Sequence, residues 1–279
     1  MSDPRLTPSN GRVAHIALQG QVTASRFVAG EWRGVRASVA DLCRTPGGPR
    51  DRHLLAGERF LLLEERDGHA FGQAEVDGYV GYVTAQALGP DMTPTHRVMA
   101  LASHVYARDD FKSADLRWLS HGAQLAVTEV TGRFAALAGG GHVPVQHLAP
   151  LDRPAEDPAG VAQMFLGTPY LWGGNSAKGI DCSGLVQRAF LSCGLPCPRD
   201  SDQQQAGLGR ELSPDEPPQR GDLLFWKGHV GMLLDAETLL HANAHHMQVA
   251  SEPVDQAIAR IAKAEFGGLL SRRRMDGPR

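Results

Sequence analysis

The sequence predicts two small β-barrels followed by an α+β domain, and three observations support this fold class. Short segments rich in aliphatic and aromatic residues, separated by Gly and Asp, fill the first half of the chain, as in small barrels or sandwiches. That half also repeats itself with a period of roughly 60 residues. The second half changes to helices followed by strands, an order typical of an α+β domain.

The β-rich segments of the first half occur in two similar copies. In the first copy, strands are predicted over "RFLLLEE" (59–65), "HAFGQAE" (69–75) and "GYVGYVT" (78–84). "GERFLLLEE" at 57–65 is echoed by "GAQLAVTEV" at 122–130, and "GYVTAQAL" at 81–88 by "GHVPVQHL" at 141–148. A join rich in proline and acid, "LAPLDRPAEDPAG" (148–160), follows the second copy. The sequence therefore predicts three domains, over residues 1–92, 93–151 and 152–279.

Beyond the join, helix signals come before strand signals. Asp157 and Pro158 suit the N-cap and the first turn of a short helix. A longer helix is predicted from 182 to 193, followed by a polar loop (200–221). Three strands are then predicted, over 222–226, 229–235 and 238–244.

The composition indicates a globular protein and argues against nucleic-acid binding. The chain is 42% hydrophobic and 21% charged, with a net charge of −3. Residues 1–150 contain 15 basic and 15 acidic residues, and residues 151–279 contain 13 basic and 16 acidic residues. Neither part has the excess of positive charge that attracts a polyanion. The cationic cluster "RRR" at 272–274 is expected to be a solvated terminal face. No apolar run reaches membrane-helix length, and the first residues do not resemble a signal peptide, so we expect a cytoplasmic protein without a membrane partner.

Cys182 begins the longer predicted helix. From this residue, apolar side chains recur at i+3, i+4, i+7, i+8 and i+11, which is one face of a helix. Asp181 is a good N-cap and Gly194 a good C-terminal stop. One interpretation is a structural thiol, since free Cys is commonly buried. The other is a nucleophile, because the helix dipole and the free backbone N–H groups favour a thiolate and can bind an oxyanion.

A thiolate nucleophile normally needs a histidine partner. His229 begins one apolar strand, and His241 lies within the next. If the two strands are hairpin neighbours, both side chains can lie on one face. A cysteine followed by a histidine on a strand, and then a polar residue on the next strand, is the order of a papain-like catalytic site.

These residues and the motifs around them resemble the NlpC/p60 family of cell-wall cysteine peptidases. The resemblance rests on "PYLWGGNSAKGIDCSGLVQRAF", "PRDSDQQ", "GDLLFWKGHVGMLL" and "LLHANA", in this order, and covers about residues 155–279. The upstream β modules resemble bacterial SH3-like domains. The resemblance implies an α+β papain-like catalytic domain preceded by two small all-β SH3-like barrels. This layout is similar to the subgroup that cleaves γ-D-glutamyl–diamino-acid bonds in murein peptides.

The same resemblance implies a role for each matching residue. Cys182 is expected to be the nucleophile, His229 the general base and His241 the residue that orients His229. Tyr170 is expected to complete the oxyanion hole, and Trp172 to form part of the pocket wall. Three more substrate-binding residues are implied by the motifs: Asp181, Ser183 and Ser201. The residues alone also allow the two aromatic side chains to be core residues and the aspartate to be only a helix cap.

The resemblance also implies a substrate. In the subgroup, an acidic side chain and a tyrosine of the first SH3-like domain receive the free α-amine of the peptide, and Asp51 and Tyr79 are the candidates here. The family pattern has Glu in the loop that holds Asp51. Together with a cytoplasmic location, this implies recycling of murein peptides by hydrolysis of L-Ala-γ-D-Glu-diaminopimelate to L-Ala-D-Glu and diaminopimelate. The mechanism requires no metal or organic cofactor, and Cys193 and Cys197 lack the second pair that a zinc site needs.

Two other functions stay open at this point. The same thiol and histidines also suit a thiol acyltransferase or amidase with another substrate, and a lipid substrate would require an apolar tunnel. A non-catalytic protein that binds wall fragments is mildly favoured by the SH3-like pair. A reactive thiol of low pKa at Cys182 is the feature expected to separate catalysis from binding.

Overall fold

The computed structural model describes residues 3–264 and 266–275 and divides the chain into two compact units, 1–152 and 153–279. Each unit has its own buried apolar core. Among the described residues, no helix is both long enough and apolar enough to cross a membrane.

The first unit begins with a parallel pair of short strands, β1 (Val13–His15) and β2 (Arg26–Val28). A seven-stranded antiparallel sheet follows, with strand order β5-β4-β8-β7-β6-β3-β9. Its strands are β3 (Glu31–Val35), β4 (Val39–Cys43), β5 (Arg50–Leu55), β6 (Arg59–Arg66), β7 (His69–Ala74), β8 (Val80–Thr84) and β9 (Leu88–Pro90). The inward side chains of this sheet form a core around Leu42, Leu54 and Phe60.

The rest of the first unit forms two smaller antiparallel sheets, with strand orders β13-β10-β17 and β12-β11-β16-β15-β14. Their strands are β10 (His96–Val98), β11 (Ala102–Tyr106), β12 (Asp115–Ser120), β13 (Gln124–Leu125), β14 (Val127–Thr131), β15 (Phe134–Leu137), β16 (His142–Pro144) and β17 (Leu148–Pro150). Val98, Leu119 and Val143 lie in their shared core.

The repeat in the sequence corresponds to a repeated structural element. In the first copy, β8 leads through a 3₁₀ turn at Ala85–Ala87 into β9. In the second, β16 leads through a 3₁₀ turn at Val145–His147 into β17. The first unit is therefore all-β with an internal strand–turn–strand repeat, and the number of SH3-like barrels in it stays a prediction.

The second unit combines four helices with a six-stranded sheet and a two-stranded ribbon among its described residues. Its helices are α1 (Pro158–Gln163), α2 (Cys182–Ser192), α3 (Ser201–Gly207) and α4 (Val254–Ala264). The ribbon pairs β18 (Asn175–Ser176) with β19 (Gly179–Ile180). The sheet strands are β20 (Arg210–Glu211), β21 (Leu223–Trp226), β22 (His229–Leu233), β23 (Thr238–Asn243), β24 (Gln248–Pro253) and β25 (Ser271–Arg274).

The sheet of the second unit has the order β20-β25-β21-β22-β23-β24 and is antiparallel throughout. Helix α2 packs against β22 and β23. Helix α4 packs through Ala257 and Ile261 against Leu224, Leu233 and Leu239 of the sheet. Because side chains alternate along a strand, Leu239 and His241 share the face that α4 covers.

Two sequence expectations are wrong in this unit. The polar loop 200–221 contains α3 and the short strand β20. The basic cluster 272–274 lies in β25, paired on both edges, and is not a solvated terminal face. Its charges are accommodated because Arg274 forms an ion pair with Asp222 at 2.6 Å, and Arg273 donates to the Leu208 carbonyl at 2.6 Å.

Candidate active site

Cys182 lies in the first turn of α2. The helix begins here because the Asp181 carboxylate accepts the backbone N–H of Gly184 at 2.7 Å, which caps the helix as the sequence predicts. Gly184 is required at this turn, since a Cβ there would lie 2.4 Å from the carbonyl oxygen of Gly174. The glycine-rich loop and the helix start are therefore in backbone contact, which fixes the position of the thiol.

The thiol is buried, with 6% of the residue exposed. Burial, and then the charge of Asp181, raises its pKa to about 12, although the backbone N–H groups of Val230 and Ser183 lower it. Desolvation therefore outweighs the helix N-terminus, which by itself favours the thiolate. The contact with Val230 places the sulfur beside β22, one residue from His229.

His229 and His241 form a hydrogen-bonded pair. Strands β22 and β23 are hairpin neighbours, as the sequence analysis expected, with Met232 opposite Leu240. The Nε2 atom of His229 lies 2.8 Å from Nδ1 of His241, and both residues are buried. Gly231 allows the close approach of β23, since a Cβ there would lie 2.7 Å from Cδ1 of Leu239 and 3.3 Å from Cβ of His241.

The imidazole of His229 lies against two aromatic rings. Its centroid lies 5.6 Å from that of Trp226 and 5.1 Å from that of Phe266, which is stacked at 13°. Burial lowers the pKa of His229 to about 3, with further contributions from the charges of His241 and Arg260. His229 is therefore a neutral base at physiological pH.

Tyr170 and Trp172 occupy different environments in the loop before α2. Burial raises the pKa of the Tyr170 phenol, and the charges of Cys182 and Asp181 raise it further, so the hydroxyl keeps its proton near the thiol. Trp172 is 69% exposed, which excludes the core-aromatic interpretation for this residue. An exposed tryptophan offers an apolar contact surface to a ligand.

Asp181 and Ser183 are held by a buried arginine that the sequence analysis missed. Arg199 donates at 2.7 Å to Oδ2 of Asp181, at 2.7 Å to Oγ of Ser183 and at 3.2 Å to the carbonyl of Gly174. The Asp181 carboxylate also accepts the Gly173 N–H at 2.9 Å. Its contacts within the unit are therefore those of a cap and anchor for the loop, and a substrate contact for Asp181 stays a prediction.

Arg199→Met is expected to lower the free energy of unfolding by about 3–5 kcal/mol, because it leaves the Asp181 carboxylate buried without its cation. Urea unfolding followed by circular dichroism measures the change. Arg210→Met is the matched control, since it removes an exposed ion pair with Glu216 in the same unit and is expected to leave the midpoint nearly unchanged. Equal midpoints for the two variants would contradict the anchoring role of Arg199.

The other sequence-predicted residues lie in two places. Ser201 is half-buried and begins α3, which packs against α2. Asp51 and Tyr79 belong to the first unit, where both line a cavity of about 680 Å³. The ring of Tyr79 is 2% exposed and belongs to the core of the seven-stranded sheet, so only its edge can reach the cavity.

The cavity of the first unit carries opposite charges. Asp51 contacts Arg44 at 3.3 Å, and Asp3 forms an ion pair with Arg5 at 2.7 Å. The Tyr79 backbone is fixed because its N–H donates to Asp77, whose carboxylate pairs with the fully buried Arg52. The cavity therefore presents two carboxylates, each paired with an arginine, beside the edge of Tyr79.

Three side chains of the second unit place metal-ligating atoms within 4.8 Å of one another: His241, His246 and Glu252. Arg260 already donates to the Glu252 carboxylate, and both ring nitrogens of His241 are hydrogen-bonded. A cation at this position would have to displace those partners. The group is better explained as a hydrogen-bonded network.

Comparison with known proteins agrees with this geometry. The NlpC/P60 family matches residues 167–263, which hold the cysteine and both histidines. The bacterial dipeptidyl-peptidase SH3 domain matches residues 42–88, which hold Asp51 and Tyr79.

Two relatives each match about a third of this chain. Dipeptidyl-peptidase 6 of Lysinibacillus sphaericus is 38% identical over 95 residues, 34% of this chain and 35% of the relative. Gamma-D-glutamyl-L-lysine dipeptidyl-peptidase of Bacillus subtilis (strain 168) is 42% identical over 97 residues, 32% of either chain. The chain thus spans about a third of the length of these relatives.

A solved structure extends the likeness in fold to most of the chain. The crystal structure of an NlpC/P60 family protein from Bacillus cereus ATCC 10987 aligns with a TM-score of 0.73 at 19% identity, covering 88% of this chain and 99% of that one. That likeness concerns the fold, and the family matches identify residues 167–263 as an NlpC/P60 domain and residues 42–88 as a bacterial dipeptidyl-peptidase SH3 domain.

Proposed function

We propose that the protein is a cysteine peptidase that hydrolyses the γ-D-glutamyl–diamino-acid bond of murein peptides with a free N-terminal L-Ala. One observation carries the proposal: a buried thiol at the start of α2 lies beside β22, where a neutral histidine is hydrogen-bonded to a second histidine. The names of two relatives, Dipeptidyl-peptidase 6 and Gamma-D-glutamyl-L-lysine dipeptidyl-peptidase, support this substrate class.

In the proposed reaction, His229 takes the proton of the Cys182 thiol, and the sulfur attacks the γ-carbonyl carbon of D-Glu. Backbone N–H groups at the start of α2 and the Tyr170 hydroxyl stabilise the oxyanion. The imidazolium of His229 then protonates the leaving α-amine, the C–N bond breaks and a thioester remains. Water activated by His229 hydrolyses the thioester and releases L-Ala-D-Glu.

Before substrate binds, the Cys182 thiol and the His229 imidazole are both neutral. The pKa of Cys182 is raised to about 12 and that of His229 is lowered to about 3, so proton transfer requires the bound substrate. Thiol titration of the free enzyme is therefore not expected to reveal a thiolate, and turnover of a defined peptide is the test that separates a peptidase from a binding protein.

Recognition of the free amine is assigned in this proposal to the cavity of the first unit. An ammonium group is expected to contact Asp51, with the Tyr79 hydroxyl as a second partner, because a charge-assisted hydrogen bond distinguishes a free amine from an acylated one. The cavity volume of about 680 Å³ and the two carboxylates that line it support this assignment.

Recognition of the free amine is tested with L-Ala-γ-D-Glu-diaminopimelate and its N-acetylated form, and mass spectrometry measures the cleavage of each. Asp51→Asn is expected to lower kcat/KM for the free peptide about 10- to 100-fold and to leave the slow cleavage of the acetylated peptide unchanged. Asp67→Asn is the matched control, since Asp67 is exposed in the turn between β6 and β7 and has a φ of 50° that Asn tolerates. Equal losses on both peptides would contradict recognition of the free amine by Asp51. Cleavage of neither peptide by the wild type would contradict the proposed peptidase activity.

A requirement for a free L-Ala amine fits peptides already released from the glycan. On that ground, recycling of murein peptides in the cytoplasm is the physiological role proposed here. We also propose that residues 93–151 form a second SH3-like barrel, supported by the repeated strand–turn–strand element that ends at β17.

A further inference from the structure

The two histidines of the candidate site belong to a longer series of hydrogen bonds. That series also includes a glutamate and an arginine that lie outside the sequence motifs. Nε2 of His241 lies 2.7 Å from Oε1 of Glu252 on β24, and Arg260 on α4 donates to the same carboxylate. Glu252 lies opposite Leu239, which makes it the diagonal neighbour of His241 across the strand pair. The hydrogen bonds therefore connect His229 to His241, His241 to Glu252 and Glu252 to Arg260.

The charge of Glu252 is fixed by its partners. The hydrogen bond from His241 and the contact with Arg260 lower the pKa of Glu252 to about 2, against the opposing effect of burial. An ionised carboxylate only accepts hydrogen bonds, so Nε2 of His241 must carry a proton and donate it. If Nε2 carries the only proton of the ring, Nδ1 of His241 is left as an acceptor.

The acceptor at Nδ1 of His241 determines the tautomer of His229. At 2.8 Å, Nε2 of His229 must be the donor in this contact, since Nδ1 of His241 has no proton. The remaining lone pair of His229 is then at Nδ1. That nitrogen is the one available for the proton of Cys182.

Within the proposed hydrolysis, we propose that Glu252, held by Arg260, is a positioning residue that fixes the tautomers of both histidines and makes Nδ1 of His229 the basic nitrogen. When His229 takes the thiol proton, the new positive charge lies on a ring whose Nε2–H is shared with His241. The carboxylate of Glu252 stabilises that charge through the second ring. Arg260 keeps the carboxylate ionised and oriented.

A merely structural role for Glu252 is the alternative, since its bond to Arg260 also ties β24 to α4. Only the positioning role predicts a tautomer. The decisive readout is therefore ¹⁵N NMR of the histidine rings in the free, full-length protein at neutral pH, with kcat and KM measured on L-Ala-γ-D-Glu-diaminopimelate.

In the wild type, both His229 and His241 are expected to carry their proton on Nε2. Glu252→Gln is expected to alter the His241 ring signals and to lower kcat about 10²-fold with KM within about twofold, the lower range for a positioned general base. Glu237→Gln is the matched control, because Glu237 is exposed in the turn between β22 and β23 of the same sheet.

A wild-type His241 protonated on Nδ1 would overturn the positioning role, as would a Glu252→Gln variant with the kcat and ring signals of the control. The tautomers are read without substrate, so an inactive wild type would contradict the proposed hydrolysis and leave the positioning role to the NMR result.

Discussion

Cys182→Ala is expected to lower kcat for L-Ala-γ-D-Glu-diaminopimelate by about 10⁵-fold or more, because no thioester can form without the thiol. The product L-Ala-D-Glu, followed by mass spectrometry, measures the loss. The fold should be unaffected, since an alanine fills nearly the same space at the start of α2 and preserves the Asp181 cap.

The matched control is Cys193→Ala, which removes a half-buried thiol at the other end of the same helix. It is expected to retain wild-type kcat within about twofold, the range of an ordinary surface substitution. Full activity in Cys182→Ala, or loss of activity in Cys193→Ala alone, would assign the nucleophile elsewhere.

His229→Gln is expected to lower kcat by about 10⁴-fold, the upper end of what a positioned general base contributes. Glutamine cannot take a proton from a thiol whose pKa burial raises to about 12, so the thiol stays protonated when the substrate binds. Steady-state kinetics with the free-amine tripeptide measures the loss.

Cys182 and His229 act as a unit in the proposed mechanism. The double variant Cys182→Ala/His229→Gln is therefore expected to be no slower than Cys182→Ala alone. His245→Gln, in the turn between β23 and β24, is the control that keeps the catalytic pair intact. Additive losses in the double variant would mean that His229 does not act on the Cys182 thiol.

The parts of the site that depend on local pattern could be predicted from the sequence. The helix at 182–193 followed from the spacing of apolar residues and the Asp181 cap, and it ends one residue earlier in the structure. The histidine pair followed from two adjacent apolar strands, whose hairpin pairing brings the rings to 2.8 Å. Local periodicity and hairpin order contain this information.

The parts that depend on non-local pairing could not be predicted. Glu252 reaches His241 only because β24 adds to the far side of β23, and Arg260 only because α4 packs over the same face. Arg199 is buried as a loop anchor through contacts with two separate segments, the loop at Gly174 and the start of α2. The sequence around each of these charged residues is that of an ordinary exposed segment.

The state of the thiol could not be predicted for a different reason. A helix N-terminus favours a thiolate, and the sequence contains that information. Desolvation depends on how deeply the surrounding strands bury the sulfur, which is a property of the whole fold. In this protein burial is the larger effect, and it raises the pKa of Cys182 to about 12.

The most direct test of the central claim is rapid acid quenching of the wild type during turnover of L-Ala-γ-D-Glu-diaminopimelate, followed by peptide mass spectrometry. The proposed mechanism predicts an L-Ala-D-Glu acyl group on the peptide that contains Cys182 and on no other cysteine. An acyl group on Cys43, Cys193 or Cys197, or product release with every cysteine unmodified throughout the first turnover, would contradict it.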